Sequence, residues 1–303
     1  MAASNGDGPR VAPILRPRPL RMLLITASWG VCFYLIRLGL RDASPLWFAA
    51  MRALIAGGAL TVLAMTQRRP RPRGVRVWGL IGLMGVINVT LAFAAMFLGI
   101  DGLATGTAAV LANAQPILIL VPAWVLFGEV LAARVVAGVV LGFVGLLIVA
   151  VPGGGGHGAL LSILAAAAIT AGTLLSRGLQ ESDIVHVAGW HFVIGGVLLL
   201  GVAGVLEGGP SVDWTPRFVI SLAFLGLVGT AATFWAWFTE VRRCPVSQVA
   251  AWTLLVPVFG VLFGSVLAAE RPGGWELVGL AMVLASMPVV VGGPLPGLRR
   301  APS

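Results

Sequence analysis

The chain has 303 residues, of which 58% are hydrophobic and only 10% are charged, and its mean hydropathy is +1.00. Soluble domains are typically about a quarter charged, so this composition excludes an ordinary water-soluble globule and predicts a membrane protein with about ten crossings of roughly 20 residues each. The formal net charge is +9, and all 20 basic residues are arginine. Because lysine is absent, a Walker A phosphate loop and Schiff-base chemistry are excluded.

Residues 1–21 are rich in Pro and Arg and are predicted to form a disordered cytoplasmic tail. A signal peptide is the alternative, but the apolar run that follows is long and lacks a small-x-small cleavage site. Apolar runs separated by turn-like breaks then predict an all-α fold of ten transmembrane helices. They are placed at about 22–40, 45–66, 75–98, 103–127, 131–151, 158–178, 185–206, 216–239, 246–268 and 274–292.

The arginines predict which side of the membrane each connection faces. With both termini in the cytoplasm, fifteen arginines lie on the cytoplasmic side, and only Arg37, Arg41, Arg217 and Arg271 lie outside. Such an excess follows the positive-inside rule. We therefore expect a multi-pass protein of the cytoplasmic (inner) membrane, with the basic connections beside anionic lipid rather than nucleic acid.

An internal repeat appears when the chain is shifted by 141 residues. "ANAQPILILVPAWVLFGEV" then lies over "TLLVPVFGVLFGSVLAAER", so that Pro116 meets Pro257 and Glu129 meets Glu270. Five helices is an odd number, so the second half enters the membrane from the opposite side. We predict two inverted five-helix repeats, 22–152 and 158–293, joined by a Gly-rich linker at 153–157 and followed by a cytoplasmic tail at 294–303. Inverted repeats are typical of alternating-access transporters, while a duplicated scaffold without transport is the alternative.

Several short motifs occur in the same order as in a known family. They are "SWG" in helix 1, "MRALIAGG" in helix 2, and the Pro-to-Glu pattern "QPILILVPAWVLFGE" of helix 4 with its echo "VPVFGVLFGSVLAAE" in helix 9. With ten helices in about 300 residues, the chain resembles the EamA-type branch of the drug/metabolite transporter superfamily, from about Met22 to Gly293. The resemblance implies two EamA-like repeats that carry a small organic metabolite or drug.

The prolines and amides of helices 3 and 4 are the first candidates for a central cavity. Pro116 and Pro257 each release a backbone carbonyl, which predicts a bend that lines the cavity. Asn113 lies nearly on the same helical face as Pro116 and is a cavity candidate, with Asn88 equal to it. Gln115 points elsewhere on an ideal helix, so we expect only one of the two helix 4 amides in the cavity and the other in a helix–helix hydrogen bond.

Arg52 and His191 are titratable candidates inside predicted helices. Arg52 costs roughly 2.5–3.5 kcal/mol at the bilayer centre, which leaves two explanations: contact with an anion or carboxylate in the cavity, or an internal pair with a carbonyl or amide. His191 lies near the repeat position of Arg52 and is a candidate proton carrier, because an unperturbed histidine titrates in the physiological range. A packed neutral histidine is the alternative to a proton carrier.

Three deep tryptophans and two helix-terminal carboxylates complete the candidates. Trp29, Trp235 and Trp237 either line a cavity for amphipathic or aromatic substrates or pack in the core. Glu129 and Glu270 end helices 4 and 9, where the helix dipole opposes a carboxylate. We expect them to pair with nearby arginines, Arg134 for Glu129, or with the amides of the next helix. They serve as helix connections or as gates.

These features predict a secondary transporter of a small organic solute, directed outward. A non-transporting scaffold or assembly protein is the alternative. An enzyme is not expected, because HExxH, GxSxG and an acidic metal cluster are all missing from the sequence, and we expect neither a cofactor nor a metal. The expected partners are the small-molecule substrate and the lipid bilayer, with no nucleic acid. A homodimer stays open.

Overall fold

A computed structural model describes residues 15–101, 110–150, 157–267 and 272–291 of the chain. These residues are nearly all helical, as predicted, and form ten helical runs. Eight of the runs in this part of the chain are long and apolar enough to cross a membrane, and the other two are apolar helices as well. In chain order they are α1 Pro19–Gly39, α2 Pro45–Thr66, α3 Val75–Ile100, α4 Val110–Phe127, α5 Ala133–Ala150, α6 His157–Ser176, α7 Ile184–Leu206, α8 Pro216–Arg243, α9 Val246–Leu267 and α10 Gly274–Val291.

Proline and glycine set several of the helix ends. Pro19, Pro45 and Pro216 occupy the first turns of α1, α2 and α8, where the N–H that proline lacks has no intrahelical acceptor. Gly128 ends α4 in a left-handed conformation with φ of 61°, which costs glycine less than any other residue. Residues at the helix ends themselves thus determine where these helices begin and end.

Contacts between helix ends sort the connections onto two faces of the bundle. The start of α9 bonds to the end of α4, where the Val246 amide donates to Glu129 at 2.6 Å. Arg21 at the start of α1 bonds to Glu240 near the end of α8. We call this side the arginine-rich face; it holds residues 16–21, 67–74, 128–132, 177–183 and 240–247. On the opposite face, which holds 40–44 and 207–215, the Asp213 amide donates to the Asp42 carbonyl.

The fourth helices of the two halves therefore run in opposite directions. Helix α4 ends at the arginine-rich face, and α9 begins there. The same reversal relates α1 to α6. Helix α1 starts on this face, where Arg21 bonds to Glu240. Helix α6 ends on it, next to Arg177, which lies 3.9 Å from Glu129. The predicted inverted arrangement of two five-helix halves is confirmed by this fold.

The third helix of each half contains a π-helical segment at the same place. The segments are Gly85–Leu91 in α3 and Phe224–Ala232 in α8. In each, a threonine hydroxyl donates to the carbonyl five residues earlier: Thr90 to Gly85 at 3.4 Å and Thr230 to Leu225 at 2.7 Å. Wide turns of this kind expose backbone carbonyls and often occur at functional sites. The repeat thus extends to a detail that the sequence comparison did not reveal.

Helices α5 and α10 form a separate close pair. A Cβ on Gly145 would lie 2.6 Å from the Gly279 carbonyl oxygen, and one on Gly138 would lie 2.6 Å from Val290. Lipid is as apolar as leucine, so helices in a bilayer associate by close packing rather than by the hydrophobic effect. Small residues at this crossing make that packing possible.

Helices α2 and α7, the second helices of the two halves, cross closely at the centre of the bundle. A Cβ on Gly57 would lie 2.6 Å from the Val193 amide nitrogen and 3.0 Å from the Gly189 carbonyl oxygen, both backbone atoms. Its neighbour Gly58 has open space around the same position. The crossing depends on Gly57 and not on Gly58.

We expect Gly57→Ala to lower the free energy of unfolding by about 1–3 kcal/mol, because backbone atoms must move apart. The matched control, Gly58→Ala, is neutral or stabilising by roughly 0.5–1 kcal/mol, since alanine is the better helix former. Unfolding in mixed micelles, followed by circular dichroism, measures both. Equal stability of the two variants would contradict this account of the crossing.

A candidate substrate site between the two halves

A cavity bounded by helices from both halves lies inside the bundle. Its empty space, with the part that is open to solvent included, is about 620 Å³. None of the described residues that line it is acidic, and one, Arg52, is basic. The lining residues are Trp29, Cys32, Phe33, Ile36, Arg52, Phe93, Met96, Ala112, Asn113, Gln115, Ile169, Phe234 and Trp237.

Arg52 reaches from α2 toward the π-helical segment of α8. Its side chain is only 3% exposed. Nε donates to the Thr230 hydroxyl at 2.8 Å, and Nη2 lies 3.5 Å from the Gly229 carbonyl. The wide turn of α8 thus supplies the acceptors, as one of the two explanations for Arg52 predicted.

The guanidinium is not fully satisfied by these bonds. Nη1 is buried and has no hydrogen-bond partner among the described residues. The guanidinium carbon lies 4.8 Å from the ring centre of Phe93, a cation–π contact that offsets part of the desolvation cost. Because Arg52 also lines the cavity, an anion there would give it the missing partner. The geometry of Arg52 therefore agrees with both explanations, internal hydrogen bonds and contact with an anion in the cavity.

Aromatic rings form the apolar wall of the cavity. Trp29 of α1 lies with its ring centre 5.2 Å from that of Trp237 and 5.6 Å from that of Phe234, both on α8. Trp237 is 1% exposed, so its ring serves both the core and the cavity wall. These rings favour the apolar, and in particular the aromatic, part of a ligand.

Helix α4 breaks where it meets the cavity. Pro116 lacks the N–H that would bond to the Ala112 carbonyl, and the chain turns at Asn113 and Ala114 before it resumes as Gln115–Leu118. Asn113 and Gln115 both line the cavity. The prediction that only one of them does so is wrong, because it assumed an unbroken helix. Gln115 also donates to the Thr173 hydroxyl at 2.9 Å and so joins α4 to α6.

Four of the predicted cavity candidates, Trp29, Arg52, Asn113 and Trp237, thus line one cavity. Five do not. Pro116 is buried beside the break, and Pro257 is buried near the crossing of α9 with α1 at Gly30. Trp235 lies instead near the arginine-rich face, with its ring 6.0 Å from the guanidinium carbon of Arg69.

Asn88 and His191 lie together in a polar cluster outside the cavity wall. The Asn88 amide nitrogen is 3.5 Å from His191 Nε2, and His191 Nδ1 donates to the Val187 carbonyl at 3.0 Å. His191 is fully buried and packs against Phe192 at 4.2 Å between ring centres. This is the geometry of the packed neutral histidine rather than of a proton carrier facing the substrate.

Glu129 connects the two halves. One carboxylate oxygen accepts the Val246 amide, and the other accepts the Ser247 amide at 3.2 Å and the Ser247 hydroxyl at 2.5 Å. Nη2 of Arg177, the residue directly after α6, lies 3.9 Å from a carboxylate oxygen of Glu129. We expected Glu129 to pair with Arg134 or with the amides of the next helix, α5. The amides that it accepts belong to α9 instead, because the fold brings the start of α9 to the end of α4. Glu270 lies outside the described residues.

Two further carboxylates that the sequence analysis did not single out repeat this arrangement. Glu240 in α8 accepts the Arg18 amide at 3.2 Å, at the start of α1, and Glu207 accepts the Leu46 and Trp47 amides at the start of α2. A carboxylate that is unfavourable at its own helix terminus is favourable at the N-terminus of a neighbour. Their position after apolar runs was the available signal in the sequence.

On the opposite face, Asp42 forms a bidentate ion pair with Arg217. Arg217 Nε donates to one oxygen of Asp42 at 2.9 Å, and Nη2 donates to the other at 2.5 Å. The Arg217 guanidinium holds the pKa of Asp42 below its ordinary value. The pair joins the α1–α2 connection of one half to α8 of the other.

Comparison with known proteins shows where this architecture belongs. The sequence model of the EamA-like transporter family matches the chain twice, at residues 19–151 and 156–292. The chain belongs to the EamA-like transporter family. Membership indicates a multi-pass membrane transporter, and the two matches correspond to the two halves of the fold.

Relatives of this EamA-like transporter occur in bacteria and plants. It is 29% identical to the uncharacterized transporter YvbV of Bacillus subtilis, over 89% of the chain and 90% of that protein. A WAT1-related chloroplastic protein of Arabidopsis thaliana is also 29% identical, and the match covers 86% of the chain but only 66% of the plant protein. A "probable amino-acid metabolite efflux pump" of Escherichia coli is 25% identical over 89% and 93%.

A solved crystal structure supports the fold independently. It superposes on the EamA-like transporter with a TM-score of 0.75, covering 89% of this chain and 94% of the other at 19% identity. At that identity the likeness concerns the fold alone.

Proposed function

We propose that the chain is a secondary transporter that exports a small organic solute with one carboxylate or comparable anionic group and an apolar, preferably aromatic, body. The observation that carries this proposal is the buried Arg52 guanidinium, which has an unpartnered nitrogen and lines an aromatic cavity between the halves. A buried charge without a full set of partners is costly, and an anionic ligand reduces that cost.

The other polar groups of the wall suit the same ligand. Asn113 and Gln115 offer amide donors and acceptors, which suit hydroxyl or amino substituents. The described lining contains no acidic residue, so a purely cationic drug has no counter-charge there. A carboxylate near Arg52 with its apolar part against Trp29 and Trp237 satisfies both the charge and the rings.

The charge of such a solute also favours the outward direction. Moving one negative charge out of a cell with a negative interior gains about 2.3 kcal/mol per 100 mV, so export of an anion requires no proton relay. The packed position of His191 agrees with this. Export also fits the efflux named for the Escherichia coli relative.

Alternating access follows from the inverted halves. We place the arginine-rich face in the cytoplasm. There, Glu129 joins α4 to α9 and Arg21 joins α1 to α8, so these ties close the site on that side. In our proposal they break and re-form as the halves rock, with the site fixed between them.

A matched set of ligands tests this function. The purified protein is melted with 3-phenylpropionate, phenylalanine, 3-phenylpropionamide and phenethylamine, and exchange of each labelled compound is measured in proteoliposomes. We expect the two carboxylates to raise the melting temperature by mass action and to exchange, while the neutral amide and the amine do neither. Equal responses to the acid and its amide would overturn recognition by charge. Absence of flux for both carboxylates would overturn their transport.

A further inference from the structure

A second cavity lies between α2, α3 and α7 at the arginine-rich face. It encloses about 540 Å³, its open part included, and shares no lining residue with the central cavity. Helices of both halves contribute to it. The lining residues are Thr61, Met65, Arg71, Pro72, Trp78, His186 and Trp190.

The buried polar groups of this second cavity are incompletely bonded. His186 is 2% exposed, and its Nε2 lies 3.3 Å from the Arg69 carbonyl. A carbonyl only accepts, so Nε2 carries the proton. Nδ1 of His186 and the hydroxyl of Thr61 are buried without a hydrogen-bond partner in the described parts of the chain. Burying a polar group without a partner is unfavourable, so both groups favour a polar ligand.

The charges around the second cavity favour an anion. Arg71 lines it, within a connection that also carries Arg68, Arg69 and Arg73. The nearby carboxylate of Asp183 is already engaged. One of its oxygens lies 3.1 Å from Arg69, and the other accepts the amides of Val185 and His186 at 3.0 Å. Arg71 is therefore available as a donor to a negatively charged group, and Nδ1 of His186 is available as an acceptor beside it.

The remaining walls of the second cavity are apolar and lie at a membrane edge. The rings of Trp78 and Trp190 meet edge to face at 5.4 Å between centres. Trp78 is 37% exposed and Met65 is 54% exposed. Tryptophan near a helix end is typical of the boundary between headgroups and acyl chains. A ligand here has a charged group above an apolar part.

We propose that the second cavity binds the headgroup of an anionic phospholipid, with Arg71 as the phosphate contact, Nδ1 of His186 as the acceptor for a headgroup hydroxyl, and Trp78 and Met65 beside the acyl chains. Bound there, the lipid bridges α2 and α3 of the first half to α7 of the second. The site is independent of the solute proposed for the central cavity.

The test uses the full chain in a mild detergent. Melting is followed during titration with phosphatidylglycerol, phosphatidylcholine or inorganic phosphate. We expect phosphatidylglycerol to stabilise the protein, and Arg71→Gln to need about tenfold more of it for half the effect, as for the loss of a charged hydrogen bond. His186→Gln also needs more phosphatidylglycerol, by a smaller factor, because the hydrogen bond that it loses is neutral. The matched control is Arg73→Gln, which removes the same charge from the same connection without touching the cavity and leaves the titration unchanged.

Two results would overturn either the proposed site or the proposal that a lipid supplies the phosphate. Equal weakening by Arg71→Gln and Arg73→Gln would mean diffuse attraction to a basic surface. Stabilisation by inorganic phosphate that equals that by phosphatidylglycerol and depends on Arg71 would retain phosphate recognition but exclude the lipid as its source. If His186→Gln folds poorly, the comparison of Arg71 with Arg73 decides alone, because both side chains are exposed.

Discussion

Arg52→Gln is expected to weaken the binding of carboxylate ligands while it stabilises the ligand-free protein. A hydrogen bond to a charged group is worth about 1.5–3 kcal/mol, so the dissociation constant for 3-phenylpropionate rises roughly 10- to 150-fold. Removing a buried charge that has an unpartnered nitrogen lowers the cost of burial, so the melting temperature without ligand rises. Melting curves with and without ligand measure both effects.

Two further variants separate recognition from packing. Thr230→Val removes the internal acceptor of Arg52 but keeps the charge, so we expect it to retain the preference for the acid over the amide. Arg76→Gln, on the exposed start of α3, leaves both measurements unchanged. A fall in ligand-free stability of Arg52→Gln, with ligand binding intact, would instead make Arg52 a purely structural residue.

The opposite changes in affinity and stability have a common origin. A site for an anion needs a cation that is held out of water before the ligand arrives, and this arrangement costs free energy in the empty protein. The fold limits the cost by means of Thr230, Gly229 and the Phe93 ring. Such trade-offs between stability and activity are general at functional sites.

The sequence predicted the helices well because lipid imposes a strong and local rule. Predicted ranges such as 45–66 and 185–206 differ from the observed helices Pro45–Thr66 and Ile184–Leu206 by one residue at most. A span needs about 20 apolar residues, and polar turns interrupt it visibly. The shared Pro and Glu at a constant offset likewise predicted two inverted halves.

The failures arose where local geometry departs from an ideal helix or where distant segments meet. The sequence analysis placed Gln115 away from the cavity, because a helical wheel assumes regular turns. In the structure, Pro116 breaks the helix there. The π-helical turn that brings Thr230 to Arg52 leaves no mark in hydrophobic periodicity. We expected Glu129 to pair with its neighbours in the chain, but its amide and hydroxyl donors lie more than a hundred residues away, and Arg177 belongs to the other half.

Glu129→Ala is expected to have the largest effect on stability. It removes the acceptor for two amides and a hydroxyl at the start of α9, and it leaves Arg177 without its nearest carboxylate. Breaking a buried charged network costs about 3–5 kcal/mol. Unfolding in mixed micelles measures the loss. The control is Glu207→Ala, which removes a similar cap from α2 at a less buried position and costs roughly 0.5–2 kcal/mol.

Glu129→Gln distinguishes a gate from a fixed connection. The amide keeps one oxygen acceptor, so α9 stays capped in part, but the attraction to Arg177 is lost. If the contact opens in every transport cycle, the variant exchanges solute faster while it is only modestly less stable. The reason is that the substitution destabilises the state closed at the arginine-rich face more than it destabilises the open state. Reduced stability with an unchanged exchange rate would make Glu129 a permanent connection, and the site would then have to close on that side by other contacts, of which Arg21 with Glu240 is the nearest equivalent.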